Sequence, residues 1–516
     1  MNVKILWADD EIDLLKPHII FLENKGYTVI PVMSGNEVIE KLENEIIDIV
    51  FLDEQMPGMS GIETMKQIKS RFQHVPVVMI TKSEEERIME DAIGSNIADY
   101  LIKPVNPHQI LLCLKKIIDN KKIVTEKSVR AYQEAFRELS TRISDRLSIQ
   151  EWEKLYKDLV YWELELEKIE DNGVADILAE QKTEANTRFS KFVMREYLGW
   201  IQGKTREKPL LSHTVLKEKL FPFLSEDKPA FLFVIDNLRY DQWKTIQPFF
   251  NDYYRTEYED ITYSILPTAT HYSRNALFAG LLPSEIERKY PQFWLNENEE
   301  GGKNQFEQDL LAEYLKRHGK NMKFSFTKIL NVDFGKKVFD NFHQLLVNPL
   351  NVIVINFVDM LSHARTNVEL IRELADDEKS YRSVTASWFE NAIFFDMVKF
   401  LSEKKIPIYL TTDHGTIKIC KAIKVVGDKL INANLRYKVG RNMDYNPKEV
   451  YEIKNPLEAY LPKEGVTHRF IFATNNDFFA YPNNFNYYVN YYKNTFQHGG
   501  ISMEEMMTPF VKLVPK

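Results

Sequence analysis

The sequence predicts a multidomain α/β protein in which a helical bundle joins two separate α/β domains. The first observation is the length, because 516 residues exceed what one hydrophobic core usually serves and correspond to about three domains. The second is that short apolar runs alternate with helical patterns at both ends of the chain, which is typical of α/β sheets. The third is a middle segment with sparse glycine, no proline before Pro209, and apolar residues at three- and four-residue spacing, which favours packed helices.

The composition is that of an ordinary globular protein, with 44% hydrophobic and 28% charged residues. A formal net charge of -8 argues against broad capture of duplex nucleic acid. Cys113 and Cys420 lack CxxC spacing, so neither a disulfide framework nor a thiolate zinc site is indicated. Asp9 and Asp10 interrupt the N-terminal apolar run, and no segment offers about 18 consecutive apolar residues. We therefore expect a cytoplasmic protein with no signal peptide and no membrane insertion.

The first predicted domain covers residues 1–120 and contains five strand-like runs. Helical patterns separate or follow these runs, so the domain is expected to be a doubly wound parallel sheet of the flavodoxin-like kind. The predicted strands are residues 3–8, 27–32, 47–52, 75–80 and 99–102.

Polar residues follow four of these strands, at the edge of the sheet where doubly wound folds bind ligands. Asp9 and Asp10 follow the first strand, and Asp53 the third. Three converging carboxylates repel one another unless a divalent cation holds them, so they predict a Mg²⁺ site in which Asp53 is the phosphoryl acceptor. Lys103 after the fifth strand would pair with the acyl phosphate, and Thr81 after the fourth would hydrogen-bond it. Each residue alone is explained equally well as a solvated loop residue; their combination favours the shared site.

This pattern resembles the receiver domain of two-component response regulators. The resemblance covers the whole segment, including the Pro-Gly-Met-Ser-Gly sequence at residues 57–61 after the acceptor. It implies phosphorylation of Asp53 with a sensor histidine kinase as the partner. Tyr100 is the aromatic residue expected in the fifth strand of receivers, so Thr81, Lys103 and Tyr100 form the expected switch, with Leu101 directly after the tyrosine.

The middle segment, residues 121–224, is predicted to be a helical-bundle linker. Asp171-Asn172-Gly173 marks the expected turn between two of its helices. Charge runs there are read as solvated helix faces, and the alternative is a dimer seam that responds to Asp53. An evident basic recognition helix is missing, so a DNA-binding output is disfavoured. The apolar positions that predict the helices are Leu155, Leu159, Trp162, Leu166 and Ile169, then Phe189, Phe192, Val193, Tyr197 and Ile201.

The last predicted domain, residues 225–516, is a second α/β domain with polar residues at strand ends. Its expected strands are residues 231–235, 261–266, 322–326, 351–357, 407–412 and 510–514, and residues 381–404 are an expected helix. The chemistry-bearing residues at or near the strand ends are Asp236, Asp359, His363, Asp413 and His414, with His498 in a Gln-His-Gly-Gly sequence further on.

Metal coordination is an economical explanation of three aspartates that end apolar runs, because a buried unpaired carboxylate is unfavourable. Carboxylate mixed with imidazole favours zinc or manganese over calcium. Any one histidine alone is explained as well by a structural position in the core. The aspartates and histidines taken together favour a bound metal ion.

Residues 265–280 form the stretch around which this domain is organised. A strand-like run turns through Pro267 and enters an apolar-periodic helix, which places a hydroxyl, Thr268 or Thr270, at the helix start. Free N–H groups and the helix dipole favour an anion such as phosphate there. The alternative is a threonine that simply caps the helix.

These residues resemble the alkaline phosphatase superfamily, most closely its PglZ-type domain, over the last half of the chain. The resemblance rests on Asp236, the Pro-Thr-Ala-Thr motif at residues 267–270, Asp359 with His363, the Asp413-His414-Gly415 motif, and His498. It implies two zinc ions, one held by Asp236, Thr270, Asp413 and His414 and the other by Asp359, His363 and His498. It also implies that Thr270 rather than Thr268 is the nucleophile. Backbone N–H groups at the helix start, with Ser273 or Arg274, would bind a phosphate oxygen. Whether Asn237 or Asn356 joins the ligands stays open.

The substrate expectation rests on charge and on aromatic residues. No second arginine accompanies Arg274 in the motif, which favours a phosphodiester over a dianionic monoester. Residues 429–492 interrupt the domain pattern and are rich in aromatic residues, whose rings would stack nucleobases or, alternatively, pack in the domain core. The rings in question are Phe478, Phe479, Tyr481, Phe485, Tyr487, Tyr488, Tyr491 and Tyr492.

The domain order resembles that of PorX-type response regulators of Bacteroidetes, which are linked to type IX secretion. The resemblance implies a zinc-dependent phosphodiesterase that acts on nucleotides or on short or cyclic oligonucleotides and is controlled, through dimerisation, by phosphorylation of Asp53. The alternative is a signalling adaptor with a structural metal domain that binds a sigma factor or a secretion component.

Overall fold

The computed structural model describes residues 3–72, 75–82, 97–168, 172–367, 377–427, 432–465 and 467–516. The chain divides into two units, Met1–Ala131 and Tyr132–Lys516. The helix expected between the fourth and fifth strands, Ile169 and Asp171 lie outside the described residues. None of the helices in the described part of the chain combines the length and apolar character that a membrane crossing requires.

The first unit contains a five-stranded parallel sheet in the order β2-β1-β3-β4-β5. The inner strands β3 and β4 are fully buried and β1 is nearly so, with a hydrophobic cluster on each face of the sheet, whereas the edge strands β2 and β5 are partly exposed. The elements are β1 (Lys4–Ala8), α1 (Lys16–Glu23), β2 (Thr28–Val32), α2 (Gly35–Asn44), β3 (Ile49–Asp53), α3 (Gly61–Arg71), β4 (Val77–Thr81) and β5 (Asp99–Ile102), with a 3-10 turn at Ile12–Leu15. The next helix, α4 (Pro107–Ser144), begins in this unit and ends in the second.

Three helices precede the second sheet, namely α5 (Ile149–Glu167), α6 (Asn172–Ile201) and α7 (Val215–Lys219). Ser148 begins α5 with a capping box in which its hydroxyl accepts from the Glu151 amide and the Glu151 carboxylate accepts from the Ser148 amide. Eight of the ten apolar positions that predict the bundle are buried, so the periodicity is confirmed. The turn expected at residues 171–173 was wrong for Asn172 and Gly173, because both belong to α6.

The second unit is built on a six-stranded mixed sheet in the order β7-β18-β10-β6-β9-β8. Strands β10, β6, β9 and β8 are parallel, while β18 pairs antiparallel with both β10 and β7. The elements up to β10 are β6 (Ala230–Ile235), α8 (Tyr240–Phe250), β7 (Tyr254–Tyr263), α9 (Thr270–Ala279), α10 (Pro283–Lys289), α11 (Glu307–Arg317), β8 (Phe324–Ile329), α12 (Val332–Asp340), β9 (Leu350–Ile355), α13 (Phe357–Asn367), α14 (Glu378–Asn391), α15 (Ile393–Glu403) and β10 (Ile408–Thr411).

Small sheets follow β10 before the chain returns to the large sheet. They pair β11 with β17, β12 with β16, and β15 between β13 and β14. The remaining elements are β11 (Ile417–Lys418), β12 (Lys421–Lys424), β13 (Tyr437–Gly440), β14 (Val450–Ile453), β15 (Arg469–Ala473), β16 (Asp477–Ala480), α16 (Phe485–Tyr492), β17 (Phe496–Gln497), α17 (Met503–Met506) and β18 (Met507–Pro515). Single 3-10 turns lie at Phe221–Phe223, Pro291–Phe293, Phe342–Val347 and Pro456–Ala459.

Two element predictions were wrong in detail. The expected helix over residues 381–404 is two helices, because Ala392 is extended, with ψ 147, and ends α14 before α15 begins. The strand expected at residues 261–266 is the last part of β7, which begins at Tyr254 and ends at Tyr263. The chain leaves the sheet after Tyr263 and continues to the cis peptide bond between Leu266 and Pro267.

The aromatic residues of the 429–492 region divide between the two interpretations. Phe478 and Phe479 are buried in β16 and pack in the small-sheet core, as the packing alternative expects. Tyr487 and Tyr488 on α16 are 64% and 38% exposed. Of these aromatic residues, those on α16 therefore have rings exposed to solvent, as base stacking requires.

A buried charge network fastens the helical segment to the second sheet. The Arg382 guanidinium on α14 lies 3.1 Å from Glu163 Oε1 on α5 and 2.5 Å from Asp241 Oδ2 on α8, and it also contacts Glu167. Lys182 on α6 lies 2.6 Å from the other Glu163 oxygen. Burial alone raises the pKa of Glu163, but the Arg382 and Lys182 cations outweigh burial and hold that pKa below its usual range.

Replacing Arg382 by leucine is expected to lower the free energy of unfolding of the second unit by about 3–5 kcal/mol. The change leaves the Glu163 and Asp241 carboxylates without the cation that both share, and stranded buried charges destabilise to that extent. Urea unfolding followed by circular dichroism measures it. Arg188→Leu is the control. Arg188 is 47% exposed and forms a long ion pair with Glu184, at 3.9 Å, so its loss should change the free energy of unfolding by less than about 0.5 kcal/mol. Equal effects of both variants would contradict the network's importance.

Candidate active site

The three strand-end aspartates lie at one edge of the large sheet. Asp236 follows β6, Asp413 lies two residues after β10, and Asp359 is in the first turn of α13 after β9. Because β10, β6 and β9 are parallel neighbours, their carboxyl ends bring these side chains together.

One cluster consists of Asp236, Asp413 and His414, each offering a ligand atom within 4.8 Å of the others. His414 Nε2 lies 3.6 Å from Asp413 Oδ2 and 3.9 Å from Asp236 Oδ1. All three residues are buried. Gly415 completes the Asp-His-Gly motif because its backbone packs against the Glu504 carbonyl, where a side chain would overlap.

A second cluster consists of Asp359, His363 and His498, again with ligand atoms within 4.8 Å. His363 Nε2 and His498 Nε2 lie 3.5 Å and 4.0 Å from Asp359 Oδ1. The His498 and His414 rings stack with centroids 4.3 Å apart, so the two clusters are neighbours.

Asn237 lies between the clusters and contacts both. Its amide nitrogen donates to Asp359 Oδ1 over 3.3 Å, and its backbone N–H donates to Asp413 Oδ1 over 3.4 Å. The residue adopts φ 66, a left-handed conformation that asparagine tolerates better than most residues. The sequence left open whether Asn237 joins the metal ligands. The signal for its place in the site was that it is a polar residue directly after a strand-end aspartate.

Thr270 is the first residue of α9 and faces the first cluster. Ala269 occupies the N-cap position, so the Thr270 hydroxyl is not used as a helix cap. Its oxygen lies 3.0 Å from His414 Nε2 and donates more weakly to Asp236 Oδ1 over 3.4 Å. The structure therefore brings Thr270 together with Asp236, Asp413 and His414.

Thr268 has a different position, fully buried behind the site. Its hydroxyl donates to the Gly500 carbonyl over 2.9 Å and accepts from the Gly499 amide over 3.0 Å. Its carbonyl oxygen lies 3.1 Å from His498 Nδ1. Thr268 thus ties the helix-start motif to the loop that carries His498.

Arg274 is the cation of the site, and its charge is already shared among carboxylates. Nη1 lies 2.5 Å from Asp236 Oδ2 and 4.0 Å from Asp413 Oδ2, while Nε lies 2.7 Å from Glu307 Oε1. Lys328 Nζ pairs with the other Glu307 oxygen at 2.7 Å. The Ser273 hydroxyl donates to the Ala269 carbonyl over 3.1 Å and is fully buried, so α9 itself uses it. Sequence reasoning missed Glu307 and Lys328, since neither lies near a recognised motif.

Burial sets the protonation of these groups. It raises the pKa values of Asp236 and Asp413, an effect that Arg274 opposes in both cases. It lowers the pKa of His414 and lowers that of His498 much further, so both imidazoles are neutral near pH 7.

The residues fit a bound metal ion at each cluster. His414 Nδ1 faces the Gly415 carbonyl at 3.2 Å and His498 Nδ1 faces the Thr268 carbonyl, so each Nδ1 carries its proton and each Nε2 presents a lone pair to its cluster. Neutral imidazole is the form that binds metals. Asp413 Oδ2 is buried and accepts no hydrogen bond from any residue that the structure describes.

The first unit carries a separate carboxylate cluster. Asp9, Asp10 and Asp53 offer oxygens within 4.8 Å of one another. Lys103 Nζ lies 2.9 Å from Asp9 Oδ2 and 3.0 Å from Asp53 Oδ1. Burial raises the pKa of Asp53, against the lowering influence of Lys103. Carboxylates of this number suit Mg²⁺, whose preferred ligands are oxygens.

The surroundings of Asp53 differ in part from expectation. The Thr81 hydroxyl donates to the Glu54 carboxylate, a partner that sequence reasoning missed although Glu54 directly follows Asp53. Tyr100 is 40% exposed on β5. Gly61 packs against the Asp53 carbonyl, where a side chain would overlap, which explains the glycine that ends the 57–61 segment.

Comparison with known families decides the class of the second unit. The family model described as the BREX system PglZ alkaline phosphatase-like domain matches residues 215–513, more than half of the chain. The chain belongs to the PglZ family. Residues 5–115 match the response regulator receiver domain, and residues 122–201 match the PorX response regulator linker domain. The protein is therefore a response regulator of PorX-type architecture with an alkaline-phosphatase-like PglZ domain, which indicates a phosphoesterase.

Two curated relatives are similar to about a quarter of the chain. The chain is 33% identical over 130 residues to the alkaline phosphatase synthesis transcriptional regulatory protein PhoP of Bacillus subtilis, covering 25% of this chain and 53% of that protein. It is 36% identical over 117 residues to the transcriptional regulatory protein CpxR homolog of Haemophilus influenzae, covering 22% and 50%. The chain spans about half the length of these curated relatives.

Solved receiver structures match the same region. A CheY-like receiver domain protein from Methanospirillum hungatei is 26% identical, with a TM-score of 0.23, over 23% of this chain and 96% of that one. A receiver domain protein from Clostridium thermocellum is 30% identical, with a TM-score of 0.22, over 23% and 98%.

Thr268→Val is expected to lower the free energy of unfolding by about 1–3 kcal/mol, more than Thr270→Val does. Valine keeps the volume but leaves the buried Gly499 amide and Gly500 carbonyl without their shared partner. Thr270 is only partly buried, and its hydroxyl satisfies no backbone group. Thermal unfolding of both variants gives the comparison. A larger loss in Thr270→Val would show that the two threonines have been assigned the wrong way round.

Proposed function

We propose that this response regulator is a metal-dependent phosphodiesterase with Thr270 as nucleophile, controlled by phosphorylation of Asp53. The receiver is assigned to residues 1–120, the linker to 121–224 and the catalytic domain to 225–516. The observation that carries the proposal is the Thr270 hydroxyl at the start of α9, 3.0 Å from His414 Nε2 and beside the strand-end carboxylates.

Two zinc ions are the proposed cofactors of the catalytic domain, and Mg²⁺ that of the receiver. Asp236, Thr270, Asp413 and His414 would hold one zinc ion, and Asp359, His363 and His498 the other. Carboxylate with imidazole suits zinc. When bound, the pair of ions stabilises developing negative charge on phosphate and alkoxide oxygens.

The residues of the chain account for the covalent steps. The Thr270 hydroxyl loses its proton to solvent as Oγ1 attacks the phosphorus, one ester P–O bond breaks, and the released alkoxide takes up a proton from water and leaves as the alcohol. Water then attacks the phosphorus of the resulting threonine phosphodiester and passes one proton to Thr270 Oγ1. The bond from phosphorus to Oγ1 breaks, which releases a phosphate monoester and restores the threonine hydroxyl. The first N–H groups of α9, together with Arg274, hold a non-bridging oxygen. Ser273 is a weaker candidate for this contact, because its hydroxyl is bonded to the Ala269 carbonyl.

Charge balance favours a phosphodiester substrate. Arg274 pairs with Asp236 and Glu307, and Lys328 pairs with Glu307, so the cations beside Thr270 are largely neutralised before a substrate binds. A phosphodiester carries one negative charge where a monoester carries two, and it needs less compensation. Nucleotides and short or cyclic oligonucleotides are the proposed substrates, with the exposed tyrosines of α16 available for stacking. The PorX-type architecture supports a proposed link to type IX secretion. In the alternative, a signalling adaptor, the partner is a sigma factor or a secretion component.

Thr270→Ala is expected to lower kcat on bis(p-nitrophenyl) phosphate by at least about 10³-fold, because the covalent step loses its nucleophile. Release of p-nitrophenol measures turnover, with metal content determined on the same sample. Thr270→Ser is the matched control, since it keeps a hydroxyl and should retain measurable activity, while chelation with EDTA should abolish activity in the wild type. Unchanged turnover in Thr270→Ala would sink the mechanism.

Beryllofluoride is expected to shift the wild-type protein from monomer to dimer, because it mimics the phosphoryl group on Asp53 and contacts Lys103. Asp53→Ala should not respond. Asp13→Ala is the control, since Asp13 is an exposed carboxylate outside the cluster and should leave the shift intact. Light scattering coupled to gel filtration gives the mass. A wild-type mass that does not change with beryllofluoride would refute this form of regulation.

A further inference from the structure

A cavity of about 480 Å³ lies among the small sheets of the second unit, outside both metal-ligand clusters. This volume falls within the range of roughly 300–1,000 Å³ that is usual for small-molecule sites. Most of the lining residues that the structure describes are aromatic or apolar, and one of them, Lys438, is a cation. The lining includes Leu435, Phe479, Tyr481, Tyr488 and Tyr492.

Lys438 is the cation in this wall, and it is 2% exposed. Its Nζ donates to the Asn432 carbonyl over 2.8 Å and lies 4.9 Å from the centre of the Tyr481 ring. Among the lining residues that the structure describes, none is a carboxylate. Burial lowers the pKa of Lys438 to about 8. An ammonium has three donors, so this buried lysine keeps donor capacity and positive charge for an anion.

The tyrosines of α16 supply flat surfaces beside this charge. Tyr488 and Tyr492 are one turn apart, with ring centroids separated by 6.3 Å and ring planes 13° from parallel. Tyr487 and Tyr491 repeat the arrangement on the same helix, at 6.2 Å and 15°. Tyr488 lines the cavity and is 38% exposed, so part of its side chain is accessible to solvent. Accessible aromatic faces of this kind stack with planar rings.

We propose that this cavity binds a nucleoside monophosphate, with a phosphate oxygen on Lys438 Nζ and the base against Tyr488. A mononucleotide combines the two features that the wall complements, an anionic group and a planar ring system. The cavity is a site separate from Thr270, and it does not share a lining residue with either metal-ligand cluster. The inference goes beyond the proposed phosphodiesterase activity and stands whether or not Thr270 is a nucleophile.

Calorimetric titration of the full chain with AMP, adenosine and inorganic phosphate tests the site. AMP is expected to bind at least about tenfold more tightly than adenosine or phosphate, since each of these carries only one of the two recognised features. Lys438→Met, which keeps the length of the side chain and removes the charge, should weaken AMP binding by about tenfold or more and leave adenosine binding unchanged. Lys424→Met is the matched control, because Lys424 is an exposed lysine on β12 and should leave AMP affinity as in the wild type.

Tyr488→Ala gives a second test that does not depend on a buried position. Loss of the stacking face should weaken AMP binding roughly tenfold without altering the affinity for phosphate. Turnover of bis(p-nitrophenyl) phosphate, measured on the same samples, should be unchanged in Lys438→Met, which separates this site from catalysis. AMP affinity that is equal in the wild type, Lys438→Met and Tyr488→Ala would overturn the proposal, as would a wild-type chain that binds no AMP.

Discussion

The structure depends on how buried carboxylates at the ends of parallel strands are neutralised. Asp236 and Asp413 converge because β6 and β10 are adjacent, and burial disfavours their negative charge. Arg274 compensates this negative charge in the second unit, and Lys103 compensates that of Asp9 and Asp53 in the first. At the strand ends of each α/β sheet, a cation therefore lies among several carboxylates. The positions of these side chains reflect the neutralisation of the buried negative charge.

Much of the fold could be predicted because strand periodicity and strand-end polarity are local properties. Apolar runs located the strands of both sheets to within a few residues, although β7 begins seven residues before the run that indicated it. Positions set by distant packing could not be read in this way. Glu307 joins Arg274 only because α11 packs against α9, and Thr81 donates to Glu54 only because β4 and β3 are neighbours. The break at Ala392 between α14 and α15 carries no proline or glycine to announce it.

The two threonines of the helix-start motif have the same side chain but different surroundings in the folded chain. Both were candidates on sequence, since both lie next to the start of α9. The structure gives Thr268 two backbone partners and full burial, while Thr270 faces the histidine and aspartates of the first cluster. Thr268 also orients His498 through its carbonyl, so one motif contains the proposed nucleophile and supports a residue 230 positions away.

Strand β18 has a consequence for biosynthesis. It lies between β7 and β10 in the large sheet, with residues 507–515 paired on both sides. Until the ribosome has released this stretch, β7 has no neighbour among the described strands and the edge of β10 that faces it is bare. The receiver and the linker helices are made long before this sheet can be completed, and nascent chains with unpaired strand edges are prone to aggregate. The second unit is therefore exposed to aggregation until the last of its strands has been made.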